Sequence, residues 1–576
     1  MADAELPRLS VDTSFAVPGG SVIQVPSGGD LQAALNSAAP GDVIELAAGA
    51  VFTGNFQLPA KDGSGWIYIQ TSALGSLPPP GGRVGPGNAD AMATIVTPNG
   101  SPAVQTASGA HHYRFVGIEL STTPGTAAFA VFAIGNRETS AGALPHDIII
   151  DRCYVHGDSA AGSRRGVAMN GNSIAVVDSY VSDFKERGAD AQALWGANGA
   201  GPFRIHNNYL EGSGENVMFG GADPTISGLV PSDIEITANN FFKPEAWRSQ
   251  GWSVKNLLEL KNARRVLIDG NVLEQNWASA QTGFAVLFTP RNEGGGAPWS
   301  AVQDVTFSNN AVRNVASGVN ILGTDNAHPS QQARGIVIRN NLFTGVSGER
   351  WGGSGIFLQV LSGPSDVVVE HATVEETGSI IVADGSSSTG FVFRDNIAFH
   401  NSFGVFGSGQ GVGNRALETY FPGAVFTNNV LIGPYPTAGG ADPSMYSDFP
   451  GNFFPNSVSE VGFANAAGGD FRLSAGSPYK GAATDGGDIG AQLGVVSAAE
   501  IRATLGAEAF VPSASESSGG GCSLDRSGAP PGWTSLAFTL AVLVFLAERE
   551  RRRRVGSALK SRGSQGRRGE RRFWFY

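Results

Sequence analysis

The chain of 576 residues is short of cysteine, lysine and charge. Its two cysteines, Cys153 and Cys522, lie far apart in unlike contexts, which excludes a disulfide framework. Seven lysines and a charged fraction of 15% leave few groups for chemistry. The opening MADAELPRLS has neither a basic n-region nor an apolar h-region, so no N-terminal signal is expected there. Either the natural start lies upstream or the body stays inside the cell. The net charge of −11 hides an asymmetry: Glu548 to Tyr576 holds eleven Lys or Arg against three Glu, leaving −19 on the remainder. An acidic body excludes nucleic acid as the main ligand, because phosphate binding needs a basic footprint. One local basic cleft would still admit an anionic sugar polymer.

What is abundant is glycine, at 80 residues, between short alternating apolar strands. From about residue 146 to 431 the segments RCYVHG, DSYVSD, NNYLEG, NNFFKP, GNVLEQ, NNAVRN, NNLFTG, DNIAFH and NNVLIG follow strands such as FRI, IEI, VLI and VTF. In register they align Cys153, Ser179, Asn208, Asn239, Asn271, Asn310, Asn341, Ala372, Asn396 and Asn429. Repeats of this length with alternating rather than 3.6-residue periodicity mean a parallel β-helix. Asn recurring at one turn position predicts a ladder of side-chain amide hydrogen bonds. Cys153 occupies a ladder position and reads as a stacked thiol.

A second register of apolar quartets, from VAMN at 167–170 through LLEL at 257–260 to SIIV at 379–382, precedes each ladder. Some ten to twelve coils, about 4.8 Å apart, predict a rod roughly 50 Å long. Long insertions gather beside these quartets and predict a binding face. A short helix, LQAALNSA, capped by Asp30, is expected to cover the open N-terminal end.

The stretches GDVIELAAGAVFTGNFQLPA, NNYLEGSGENVMFGGADP, NLLELKNARRVLIDGNVLEQNW, TGFAVLFTPRNEGG and GGDFRLSAGSPYKGAATDGGDIGA resemble right-handed parallel β-helix proteins of the pectate-lyase-like superfamily. The resemblance is strongest to a bacterial group without assigned activity and covers about residues 20 to 495. It implies an all-β solenoid that works on polysaccharide outside the cell, commonly by lyase or hydrolase chemistry. Fold alone does not imply activity. Beyond the body come a short helix, a Ser/Gly linker, Cys522, the apolar run Trp533 to Ala547 and an arginine cluster. Fifteen residues span about 23 Å as a helix, short of a bilayer core of roughly 30 Å. This tail resembles the myxobacterial C-terminal sorting signal, which implies processing near Cys522 and attachment to the cell surface. It departs from that pattern by about twenty further residues ending in RRFWFY. An ordinary membrane anchor with its basic end in the cytoplasm is the alternative. The expected division is a flexible N-terminus at 1–19, a β-helix at 20–495, a helix and linker at 496–521, and the tail at 522–576.

Lys261 follows Glu259 on one strand, with Leu257 expected on the same face and Leu258 and Leu260 on the other. One coil later Arg291 follows GFAVLFT. β-Elimination beside a uronate carboxylate needs a base, a cation on the carboxylate and a proton donor to the leaving oxygen. Lys261 is the expected base, Glu259 its neighbour in the site, and Arg291 the carboxylate clamp or acid; a plain surface ion pair between Glu259 and Lys261 is the alternative. Asn216 and Glu259 offer oxygen ligands to a hard cation such as Ca²⁺. The region loosely resembles the chondroitinase-B and alginate-lyase family. That family places its calcium acids several residues before its lysine, so no calcium site is carried over. Trp247, Trp252, Trp277, Trp299 and Trp351 fall in the flanking loops and suit stacking on sugar rings; plugging the loops is their alternative role. Asp190 and Asp223 are the carboxylates a glycosidase would use. Asp485 and Asp488 read as a terminal turn, and His111 and His112 as structural. The expectation is a surface-attached lyase on an acidic glycan, with a non-catalytic glycan-binding or envelope protein, then a glycoside hydrolase, as alternatives.

Overall fold

In the computed structural model the described residues are 4–16, 18–433 and 440–493. They form a parallel β-helix of three long sheets, with 14, 13 and 13 strands. From Val43 to Gly407 each coil gives one strand to sheet 1, then sheet 2, then sheet 3. The central coil, for example, contributes Ala263–Asp269, Val272–Asn276 and Phe284–Phe288. Like residues stack between coils, as in Ile236↔Ile268↔Phe307↔Ile338 on sheet 1. Their apolar side chains fill one continuous core.

The Asn register is a hydrogen-bonded ladder at the corner between sheets 1 and 2. Asn239 Oδ1 accepts from both the backbone N (2.9 Å) and Nδ2 (3.0 Å) of Asn208. Asn271 does the same for Asn239, and Asn310 for Asn271. Each Nδ2 also reaches a strand carbonyl of the preceding coil, as Asn271 does to Ile236 O at 2.8 Å. The residue before each rung has left-handed backbone, including Asn207 (φ 54), Asn309 (φ 55) and Asn340 (φ 54). That explains four of the five NN doublets, in which the first Asn tolerates the left-handed corner and the second forms the rung; at Asn239–Asn240 the first Asn is the rung and the corner is Ala238, φ 55. Before Asn271 the same corner is Gly270, φ 65. The ladder continues one rung further than the sequence register, through Asn429 to Asn452 at 3.0 Å. Cys153 is a buried rung whose N–H bonds Ser179 Oγ at 3.0 Å, and burial pushes its thiol up to about 12.

The N-terminal helix, Leu31–Ser37, has its first turn capped by Asp30 Oδ1 at 2.9 Å and buries Leu31, Ala34 and Leu35 in the core. A second helix, Asn414–Tyr420, buries Ala416, Leu417 and Tyr420 in the same core near the other end. The expected flexible N-terminus is instead an extended strap over sheet 1. Arg8 N bonds Asp233, Ser10 Oγ bonds Glu235, and Val11 packs on Ile149, Ala175 and Val177. Arg114 donates to Thr13 O, Ser14 O and buried Asp151, while Arg114 and Arg152 lie over the Phe15 ring. The closing segment folds back on sheet 2, where Val461, Tyr479 and Ile489 pack on Ile397, Val430 and Ile432. Asp485 and Asp488 close its turns by accepting from Gly487 N and Gly481 N. Among the described residues no helix is long and apolar enough to cross a membrane. Cys522, the run Trp533 to Ala547 and the arginine cluster lie outside them.

Asn271→Ala removes the acceptor for two buried donors of Asn239. At about 1–3 kcal/mol for each buried group left unpaired, a loss on the order of 3 kcal/mol is expected, read from the urea midpoint at unchanged slope.

Candidate functional site

Sheet 3 carries the charged groups. Its outward row runs Trp195, Met218, Glu259, Leu287, Asn320, Gln359 across successive coils. The long insertions occupy two corners rather than one. Those at 243–257, 277–283 and 347–357 enter sheet 3 from sheet 2, and those at 220–231, 289–301 and 323–333 leave it toward sheet 1. They flank the outer face of sheet 3, where Asn256, Gln281, Thr282, Phe284, Leu287 and Asn320 line a cavity of about 130 Å³.

Beside that cavity the sheet gathers acids and lysines from four coils. Glu259 is buried; its Oε2 accepts from Asn256 Nδ2 at 2.9 Å and its Oε1 lies 4.0 Å from Lys261 Nζ. Lys261 Nζ is also 3.5 Å from Glu293, an exposed carboxylate on the exit loop. Lys255 pairs with Asp190 at 2.5 Å. One coil below, Glu215 is fully buried and its Oε2 accepts from Gln192 Nε2 at 2.8 Å, while Oε1 has no partner. Gln192 in turn accepts from Arg165, which stacks 3.8 Å from the Trp195 ring.

These surroundings set the protonation states. Burial pushes the Glu215 carboxyl up to about 8, with Asp190 and Glu259 adding to the rise and Lys255 and Lys261 opposing it. At neutral pH Glu215 is therefore an acid that carries a proton. Burial alone would lower Lys261, but Glu259, Glu293, Glu215 and Asp190 together outweigh it and hold the ammonium above the ordinary lysine range. The expected base is thus a fixed cation, because its neighbours are carboxylates and not the cations that would have lowered it. Beneath the floor, Lys243 is fully buried and bonds the carbonyls of Gly212, Ser213 and Gly214. Burial pulls it down to about 7.

Several sequence expectations change here. Arg291 N donates to Lys261 O at 2.8 Å, but its guanidinium is committed to Asp325 at 3.0 Å and to Asn326 on the next exit loop. Leu257 joins Leu258 and Leu260 in the core, because the strand proper begins only at Leu258. Asn216 is enclosed inside the corner, where its Nδ2 donates to Leu210 O and Phe242 O. With Asn216 enclosed and an ammonium beside Glu259, these residues do not fit a hard-cation site. Trp247, Trp252, Trp277 and Trp351 pack with Val254 and Ala316 in one buried cluster, and each is at most 5% exposed. They plug the entry loops and present no open face to a sugar. Trp299 is half-buried and ties the exit loops through Nε1 to Leu229 O at 3.0 Å. Asp223 is taken up by Gly294 N and Gly296 N. Glu215 escaped the sequence reading; its one signal was a carboxylate opening the strand ENVMF, a coil before Glu259.

No protein-family model matches the chain, and no curated protein does. Among solved structures it is similar to the PL6 family alginate lyase AlyGC, at 15% identity and TM-score 0.42 over 76% of this chain and 53% of that one. The chain thus spans about half the length of that lyase. The A-module of a mannuronan C-5 epimerase from Azotobacter vinelandii matches at 13% identity and TM-score 0.38, over 74% of this chain and 90% of the module. The catalytic unit of a GH87 α-1,3-glucanase from Streptomyces thermodiastaticus matches at 11% and 0.41, over 78% and 70%. The chain is a parallel β-helix. Likeness at this level carries no argument about activity.

Two outcomes test the site. Glu215 holds its proton where an unfolded carboxyl, near 4.5, has lost it, so its contribution to stability falls as pH rises through that window. Glu215→Gln is expected to gain stability relative to the parent between about pH 5 and about pH 7, below the range where Lys243 adds the opposite slope. Trp277→Ala is expected to cost about 3–5 kcal/mol in chemical denaturation, as a core tryptophan does; a sugar platform would leave stability nearly unchanged.

Proposed function

We propose that this chain is a polysaccharide-active β-helix protein that holds an acidic glycan along the outer face of sheet 3 and cleaves it by β-elimination. The observation that carries this reading is the Lys261 ammonium set between Glu259 and the exposed carboxylate of Glu293. A uronate carboxylate can take the place of Glu293 on Lys261. The carbon beside that carboxylate then lies near Glu259, 4.0 Å from the same ammonium. Glu259 accepts the proton from that carbon, the electron pair forms the carbon–carbon double bond, and the glycosidic oxygen leaves. Glu215 is fully enclosed and keeps its proton at neutral pH, so the leaving oxygen takes its proton from solvent water at the open face. Lys261 thereby stabilises the charge that develops on the carboxylate rather than taking the proton. Arg291 shapes the exit loop through Asp325.

A second reading is glycoside hydrolysis. Glu259 and the exposed Glu293 both flank Lys261, a pair of carboxylates is what such chemistry uses, and it needs no uronate. The sorting-type tail with Cys522 supports work at the cell surface for either chemistry.

The test is incubation of the full chain with a panel of uronate polymers and neutral glucans. Ultraviolet-absorbing unsaturated products from a uronate polymer are expected, lost in Glu259→Gln and reduced at least about 100-fold in Lys261→Met, in line with removal of one charge-stabilising group. New reducing ends without that absorbance would overturn elimination in favour of hydrolysis. Binding without any cleavage across the panel would make the chain a glycan-binding or envelope protein.

A further inference from the structure

The start of sheet 1 holds a cluster that the glycan reading does not use. His111 and His146 are register partners on adjacent strands, and their rings stack at 4.7 Å and 14°. In a regular strand His111 and His112 would point to opposite faces. His112 instead has φ 58 and Asp147 has φ 53, and these left-handed residues bring both neighbours onto one side. His111 Nδ1 lies 2.8 Å from His112 Nδ1, His146 Nδ1 lies 2.6 Å from Asp147 Oδ2, and His112 Nδ1 lies 4.0 Å from the same oxygen. Among the described residues, His112, His146 and Asp147 are the one grouping of three or more ligand-type side chains within reach of a common ion. All three are partly open to solvent.

We propose that His112, His146 and Asp147 bind one divalent transition-metal cation of the zinc class, which staples two adjacent coils. A tetrahedral ion with bonds of about 2.0–2.1 Å needs donor atoms about 3.3 Å apart, and the distances here, 2.6 to 4.0 Å, bracket that value. Two imidazole nitrogens and one carboxylate oxygen, with water in the fourth position, suit zinc, cobalt, nickel or copper and not the oxygen-seeking calcium or magnesium. The carboxylate is already oriented: Asp147 Oδ1 accepts from Ser173 Oγ at 2.6 Å, from the next coil, which leaves Oδ2 for the ion. Trp66 packs edge-on against His112 at 5.3 Å and limits the ring's movement. His111 stands beside the set, its Nδ1 2.8 Å from His112 Nδ1 and its ring stacked on His146, and so holds both ligand rings in place.

This site stands on sheet 1 and does not rest on the chemistry assigned to sheet 3. The untagged full chain, stripped with chelator, is titrated with Zn²⁺ by calorimetry and with Co²⁺ by visible absorption. One equivalent of each is expected, with the intense cobalt bands of a tetrahedral site and a Tm raised by Zn²⁺. The double variant His112→Ala, His146→Ala should lose the binding and the Tm response; His328→Ala should keep both. Ser173→Ala, which leaves all three donors in place, should weaken affinity by ~10–100-fold, as loss of an orienting partner does. Should the double variant fail to fold by circular dichroism, Asp147→Asn serves in its place. No stoichiometric binding in the parent chain, or binding unchanged in the folded variants, would overturn the proposal.

Discussion

Every coil of this protein depends on its neighbours for hydrogen bonds, and the Asn ladder is where that dependence is most concentrated. A parallel strand cannot satisfy its own backbone, so each coil is stable only between two others. At the corner between sheets 1 and 2 the chain must reverse within two residues. The first takes left-handed backbone and the second donates its amide to the coil before while accepting from it. The rung therefore fixes corner shape and stacking register together. Both ends need closing for the same reason, and the helices at Leu31–Ser37 and Asn414–Tyr420 supply apolar faces there. The strap at residues 4–16 ties outward sheet-1 residues from several coils through Asp151, Asp233 and Glu235.

That rigid stack makes a charged face on sheet 3 tolerable. Removing Glu215 and Glu259 from water is expensive unless each is neutralised, paired or hydrogen-bonded. Glu215 keeps its proton; Glu259 is held by Asn256 and lies beside Lys261; Asp190 is matched by Lys255. Sheet geometry holds these groups in place, since successive coils present outward residues at a fixed spacing. The four packed tryptophans anchor the entry loops beside the charges, which is how long loops can border a site without collapsing over it.

The repeat was legible because it is local. Alternating apolar residues and the NN doublets each report on a few neighbours in the chain, and the ladder formed at the expected positions with one more rung at Asn452. Lys261 and Glu259 were also legible as a pair, two residues apart on one strand. Glu215 was not, because it meets Lys261 only after a full coil has closed between them. Arg291 was misjudged for the same reason: its partner Asp325 arrives from the next exit loop. The tryptophans showed their loops but not their burial, which requires three separate loops to converge.

The amino-acid sequence by itself determined a parallel β-helix, its coil register, its ladder corner and the short helix over its first coils. These follow from the chemistry of adjacent residues: β-branched alternation, the tolerance of Asn and Gly for left-handed backbone, and the capping of a helix by Asp30. Only the tertiary structure decided what the polar residues do. Stacking set Lys261 among carboxylates and made it a cation, kept the proton on Glu215, and brought His146 and Asp147 against His111 and His112. The physical reason is that protonation and ligand geometry depend on neighbours in space, and in a solenoid those neighbours come from coils some thirty residues away in the chain.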